Sequence, residues 1–180
     1  MLNELRLCLD LNIWVAALLA DKRGKQNTAS QCLVRIVKQG IWDDYPVQLV
    51  ISWGMLERLS SVLIERLNVS RLVTESYIQA IQEYAELGSL RGTQLTLGGT
   101  GVIALRDVED RHVLETALAG YASALVTMNL KDFSSSNTRI IDPERHLIYN
   151  APHYSFHIIN PFLMMDWIRS GKIPKTSDWV

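Results

Sequence analysis

Three acidic residues, Asp10, Glu57 and Asp110, stand at or shortly after apolar runs that lie far apart in the chain. Asp10 follows Leu5-Arg6-Leu7-Cys8-Leu9, Glu57 comes six residues past Ile51, and Asp110 closes the group Asp107-Val108-Glu109-Asp110. Carboxylates repel one another, so a fold that gathers several of them at one end of a sheet needs a cation to hold them together. Carboxylate oxygens are hard ligands suited to Mg2+ or Mn2+. A divalent ion with water in its shell is a standard means of cutting phosphodiesters. The pattern points to metal-assisted hydrolysis of a nucleic-acid backbone, with Asp10 and Asp110 as expected ligands. Glu57 would bind the ion or orient a water.

Each acid alone also has a plainer reading. Asp10 with Asn12 suits a turn and helix cap, Asp110 an ordinary helix-start acid, and Glu57 a solvated helical charge. The recurrence of polar residues at strand ends, in order, favours the shared site. In open parallel sheets, ligands bind outside the carboxyl ends of the strands.

The elements that must position these residues follow from hydrophobic spacing. Leu5 to Leu9 reads as a buried parallel strand, and the Ala-rich run from Ile13 to Ala20 as a helix capped by Asn12. Gln26 to Gln39 has helical spacing and stops at Gly40, and Val47 to Ile51 reads as the next strand. Helices open at Ser52 and Ser70. Leu95 to Arg106, broken by Gly98-Gly99 and Gly101, suggests two short strands with a turn. Asp110 to Gly120 reads as a helix and Ala124 to Val126 as a buried strand. This alternation argues for βαβ units and a parallel sheet covered on both faces. From Ser134 the texture changes. Ile140 to Phe156 mixes Pro, His and Tyr without clear period, Phe162 to Arg169 looks helical, and the tail from Ile173 to Asp178 looks loose.

At 180 residues and 48% hydrophobic, the chain fits a single domain spanning 1–180. A net charge of -1 argues against coating nucleic acid through bulk positive charge, though a local basic groove remains compatible. The two cysteines, Cys8 and Cys32, lie in apolar surroundings and read as reduced thiols of an intracellular protein. The first apolar run lacks a basic n-region and is interrupted by Asp10 and Asn12. It is read as neither signal peptide nor membrane span, which gives a soluble, cytoplasmic expectation.

In these residues the chain resembles the PIN-domain family, in particular the toxin components of bacterial toxin–antitoxin pairs. An apolar strand precedes Asp10-Leu11-Asn12; Ser52 precedes a helix carrying Leu56-Glu57-Arg58-Leu59; the acidic group at 107–110 leads into Leu114-Glu115-Thr116-Ala117. Val126-Thr127-Met128-Asn129 and Asp132-Phe133 follow, and Ile159-Asn160-Pro161-Phe162 fits a late strand end before a helix. The resemblance implies a three-layer α/β/α fold with a mainly parallel sheet and a Mg2+- or Mn2+-dependent ribonuclease activity. It also implies a homodimer bound to a protein antitoxin. Asn12, Thr127 and Asn129 would hold water and phosphate through hydrogen bonds, with Asp107 in the acidic group beside them.

Two departures bear on this. Asn129 stands where many members carry a fourth acid, and Asp132 is the nearest substitute. The stretch 134–156 is longer than the usual connection and reads as a surface insertion. The missing acid motivates a rival reading, a PIN-like binding or regulatory subunit that no longer cuts RNA. Candidate backbone-binding cations are Lys22, Arg23, Lys25, Arg58, Arg106 and Arg111, and Trp53 is placed to line the cleft. His146, His153 and His157 suggest zinc only weakly, since no cysteine joins them. Gly98-Gly99-Thr100-Gly101 is no phosphate loop, because no Lys-Ser or Lys-Thr follows.

Overall fold

A computed structural model describes residues 4–93 and 108–179, the side chains of Val108 and Glu109 excepted. The expected turn and strands between Leu95 and Arg106 lie outside the described residues, as do Asp107 and the Gly98–Gly101 segment. Among the described residues, seven strands, β1 (Leu5–Leu9), β2 (Ile41–Trp42), β3 (Tyr45–Val50), β4 (Ala124–Val126), β5 (Thr138–Asp142), β6 (His146–Asn150) and β7 (Ser155–Ile159), form one sheet in the order β2-β3-β1-β4-β7-β6-β5. The middle four, β3 (Tyr45–Val50), β1 (Leu5–Leu9), β4 (Ala124–Val126) and β7 (Ser155–Ile159), run parallel, with Leu7 opposite both Leu49 and Ala124. Consecutive residues Leu7, Cys8 and Leu9 are each fully buried. Both faces of β1 are therefore covered, which is why the strand reads as a continuous apolar run. The fold is the α/β PIN-like class, with its helices packed on a mixed sheet that is parallel at the centre.

Among the described residues, five α-helices lie between strands, α1 (Leu11–Lys22), α2 (Ala29–Gln39), α3 (Trp53–Ser61), α4 (Arg71–Ala85) and α5 (Val108–Ala119), and α6 (Pro161–Arg169) follows the last strand. The sequence marks most of their starts. Thr28 and Gln31 form a reciprocal capping box on α2, and Gly40 ends it in the left-handed conformation at φ 66°. Ser52, Ser70 and Asn160 cap α3, α4 and α6, with Pro161 in the first turn of α6. Past Ser61, α3 widens into a π turn at Val62–Arg66. One expectation is corrected: α1 begins at Leu11 rather than Ile13, and its cap is Asp10 rather than Asn12. Two capping residues stand two apart, and the backbone leaves the strand at the first.

The C-terminal third departs most from expectation. The stretch from Ile140 to Phe156 is not irregular: β5 (Thr138–Asp142), β6 (His146–Asn150) and β7 form an antiparallel meander that widens the sheet beyond β4. β6 escaped the period rule because His146 is buried beside His157 as though it were a core residue. The short antiparallel strand β2 (Ile41–Trp42) was not foreseen either. Nor is the tail wholly loose. Thr176–Trp179 forms a 3-10 turn, and the Pro174 carbonyl accepts a hydrogen bond from His157. Among the described residues, no helix is long and apolar enough to cross a membrane.

Candidate active site

The sheet order reverses at β1, whose two neighbours, β3 and β4, are reached by connections leaving in opposite directions. Such a switch point opens a crevice outside the carboxyl ends of the strands. Asp10 and Thr127 are the first residues past β1 and β4, and the Asp10 amide donates to the Val126 carbonyl at 3.0 Å. Trp14 braces the corner from within, its indole N–H donating to the Leu9 carbonyl at 3.2 Å.

Asp10 is only 6% exposed, and both carboxylate oxygens are engaged. Oδ1 accepts the Leu11 amide at 2.6 Å; Oδ2 accepts the Asn12 side-chain amide at 2.6 Å and the Thr127 hydroxyl at 2.6 Å. Asn12 in turn accepts the Met128 amide through Oδ1 at 3.2 Å, and Thr127 Oγ1 accepts the Asn129 amide at 3.0 Å. Asp10, Asn12 and Thr127 are thus joined through their side chains, and Asn129 is tied to them through its main-chain amide. Every donor to Asp10 is neutral. Burial pushes its carboxyl group above the usual carboxylate range, the three hydrogen bonds oppose that rise, and the negative charge of Asp132 adds to it.

Asn129 does not simply replace an acid. Its side-chain amide donates to Asp132 Oδ2, holding that carboxylate at the 3-10 turn Leu130–Phe133. Both residues are exposed, and Asp132 is close enough to act on Asp10. Glu57 and Asp110 are placed differently. Glu57 is exposed in the second turn of α3, and its carboxylate joins no hydrogen bond among the described residues. Asp110 is half-buried in the first turn of α5. Neither is hydrogen-bonded to Asp10. Among the described residues, no three His, Cys, Asp or Glu side chains stand together as a ready-made metal cage.

One positioning contact was missed from the sequence. Ser52 Oγ lies 3.2 Å from His112 Nε2 and accepts the Thr116 hydroxyl at 2.8 Å. It locks the start of α3, which carries Glu57, to α5, which carries Asp110. A Cβ at position 54 would fall 2.1 Å from His112 Nε2, so Gly54 is what permits the approach. A glycine in the first turn of an otherwise good helix was the available signal.

The model of the PIN domain family matches residues 6–131, more than half of the chain. The chain belongs to the PIN-domain family. PIN domains are generally nucleases, and the match takes in Asp10, Asn12, Glu57, Asp110, Thr127 and Asn129. It ends one residue short of Asp132 and leaves β5, β6, β7 and α6 outside. No curated protein and no solved structure matches the chain.

The donor set of this PIN domain fits a hard divalent ion. Asp10 is a buried carboxylate whose donors among the described residues are all neutral, the charge of Asp132 acts on it, and the carboxylate oxygens of Asp10, Glu57, Asp110 and Asp132 are hard ligands. Of the candidate cations, Lys22, Arg23 and Lys25 are exposed, Arg58 and Arg111 are half-buried and engaged, and Arg106 lies outside the described residues. Trp53 is 52% exposed. The histidines are not arranged for zinc: His146 Nε2 meets His157 Nδ1 at 2.9 Å in a buried pair edged by Trp167 and Trp179, while His153 is exposed.

Proposed function

We propose that this PIN domain is a metal-dependent endoribonuclease and the toxin of a type II toxin–antitoxin pair, acting in the cytoplasm as a homodimer with a protein antitoxin as partner. The observation that carries the nuclease reading is Asp10, a carboxylate buried at the switch point, held only by neutral donors and facing the charge of Asp132. Such a group is costly in the apo chain and is relieved by a cation.

Asp10, Glu57 and Asp110 would hold Mg2+ or Mn2+. When bound, such an ion lowers the pKa of its water and offsets charge on the phosphate oxygens during in-line attack. The protein's part is orientation. Thr127 and Asn12 fix both the position and the ionised form of Asp10 through the bonds to Oδ2. Asn129 holds Asp132, which completes the negative wall that Asn129 itself lacks. The amide of Asn129 and the exposed side of Asn12 are placed to bind phosphate oxygens or water. Residues 1–180 would act as one catalytic domain, with the 134–156 stretch as an addition at the far sheet edge.

A second reading, a binding subunit without catalysis, is favoured by the exposed carboxylate of Glu57, which has no bond to the Asp10 group. Incubating the purified chain with single-stranded RNA and Mn2+, with and without chelator, separates the two. Chelator-sensitive cleavage lost in Asp10→Asn supports the enzyme. Binding without cleavage in either protein supports the rival.

A further inference from the structure

We infer that a groove beside the Asp10 group, on the α6 side of α1, is a subsite for single-stranded RNA that seats a nucleotide flanking the scissile phosphate. The inference rests on the ribonuclease reading for the scissile phosphate, while the binding of single-stranded RNA in the groove is tested apart from it. The cavity holds about 560 Å³, a volume suited to a nucleotide-sized ligand. It adjoins the site through two residues. Met128 lines it while its amide donates to Asn12, and Ala16 lines it one helical turn beyond Asn12 on α1. An RNA strand crossing Asp10 would continue into it.

Its walls have two chemistries. Phe162, 63% exposed, and Met128, 48% exposed, present apolar surface that the fold leaves open to solvent. An exposed aromatic ring beside a cationic track is how sequence-tolerant single-strand binders hold bases. Arg23, Lys25 and Arg169 supply the cations. Arg23 and Lys25 have no ion-pair partner among the described residues. The acid in the groove, Asp166, is already matched by Arg145 at 3.3 Å and Arg169 at 3.9 Å. The excess charge is positive, in a chain whose net charge is -1. The floor is the start of α2, where the Gln31 amide is taken by Thr28 and the Ala29 and Ser30 amides have no intrahelical acceptor. Ser30 lines the groove there at 3% exposure, and its hydroxyl joins no hydrogen bond among the described residues. Cations, the two amides and a hydroxyl line the same groove as Phe162 and Met128, which gives it groups for a phosphate and apolar surface for a base. Continuity with Asn12 favours the substrate over a separate protein partner.

The test is fluorescence anisotropy of a labelled, 2′-O-methylated single-stranded oligoribonucleotide, titrated in chelator with wild type, Arg23→Ala/Arg169→Ala and Phe162→Ala. All three substitutions are at exposed positions. The double variant should bind about tenfold or more weakly, with a shallower dependence on salt. Phe162→Ala should also bind about tenfold more weakly, with the salt dependence unchanged. Equal affinity in all three proteins overturns the inference. So does unchanged RNA binding alongside lost binding of an acidic leucine-rich peptide in Phe162→Ala, which would make the groove a protein-docking surface. Mn2+-dependent cleavage is scored separately on an unmodified oligoribonucleotide. If no protein cleaves but the affinity losses appear, the ribonuclease reading fails and the groove stands. If wild type and variants bind and cleave alike, the groove alone fails.

Discussion

The hydroxyl of Thr127 donates to Oδ2 of Asp10 across 2.6 Å, joining the ends of β4 and β1. Oγ1 of Thr127 also accepts the Asn129 amide, so one side chain orients the buried acid and holds the chain leading into the turn that carries Asp132. Thr127→Val keeps the shape and removes both bonds, together with the one that Oγ1 accepts from the Asn12 side-chain amide at 3.1 Å. Stability at neutral pH should fall by about 1–3 kcal/mol, because a buried charge loses a donor and an amide its acceptor. Urea denaturation measures this, with Thr127→Ser as the control that retains the hydroxyl. Wild-type stability in the valine variant would mean the bond holds nothing in place.

Asp10 also predicts a pH dependence. Its folded pKa lies above the unfolded value, so between the two the native chain binds more protons than the unfolded one. Its unfavourable contribution is absent below the unfolded pKa and grows as pH rises towards the folded pKa. Asp10→Asn should remove that downward component from melting curves taken across this window. At neutral pH the net change should be small. Relief of the buried charge is offset because an amide cannot accept at both ends as the carboxylate does. Identical pH profiles in the two proteins would contradict the burial argument. Cleavage should be lost in the variant whatever its stability.

Added Mn2+ or Mg2+ should raise the melting temperature, since a ligand that binds only the native state stabilises it by mass action. At a hundred times the dissociation constant the gain is about 2.7 kcal/mol. Asp10→Asn/Glu57→Gln/Asp110→Asn should show no gain. A gain lost with Asp10→Asn but kept in Glu57→Gln would assign Glu57 a role outside the metal shell.

Asn129→Asp replaces the amide that donates to Asp132 with a like charge. The metal-free variant should be less stable near neutral pH, because adjacent carboxylates resist joint ionisation. Its Mn2+ affinity should be tighter. Isothermal titration of both proteins decides it: equal affinities would place residue 129 outside the ion's reach.

The buried His146–His157 pair predicts an acid limit. Burial, and to a lesser degree each other's charge, pushes His146 down to about 4, and burial lowers His157 as well. The unfolded chain takes up protons from about 6.5 downward while the native pair does not. The pair's stabilising contribution is full above 6.5 and lost as pH falls towards 4. His146→Gln keeps a donor for His157 Nδ1 and should flatten melting temperature against pH in that window. An unaltered slope would assign the acid limit to other groups.

What the sequence revealed was local. Leu5–Leu9 and Ala124–Val126 are buried on both faces, so composition alone marked them as strands. Polar residues immediately after them marked Asp10, Asn12, Thr127 and Asn129 as neighbours. Contacts between distant residues left no such trace. Ser52 and His112 are 60 residues apart, and only Gly54 hinted that something must pass close to α3. His146 looked polar and broke the strand pattern, because its partner is another histidine 11 residues on rather than solvent. The π turn after Ser61 follows from no motif that we identify.

Asp10 and Thr127 are 117 residues apart, and what joins them is a strand inserted late beside β1. During synthesis from the N-terminus, the first two-thirds of the chain leaves the ribosome with Asp10 lacking Thr127, Asn129 and Asp132. A nascent or truncated chain ending before β4 therefore holds Asp10 without the hydroxyl that bonds its Oδ2 and without the neighbouring charge of Asp132, so the buried acid finds its setting only once the last third of the chain is being made.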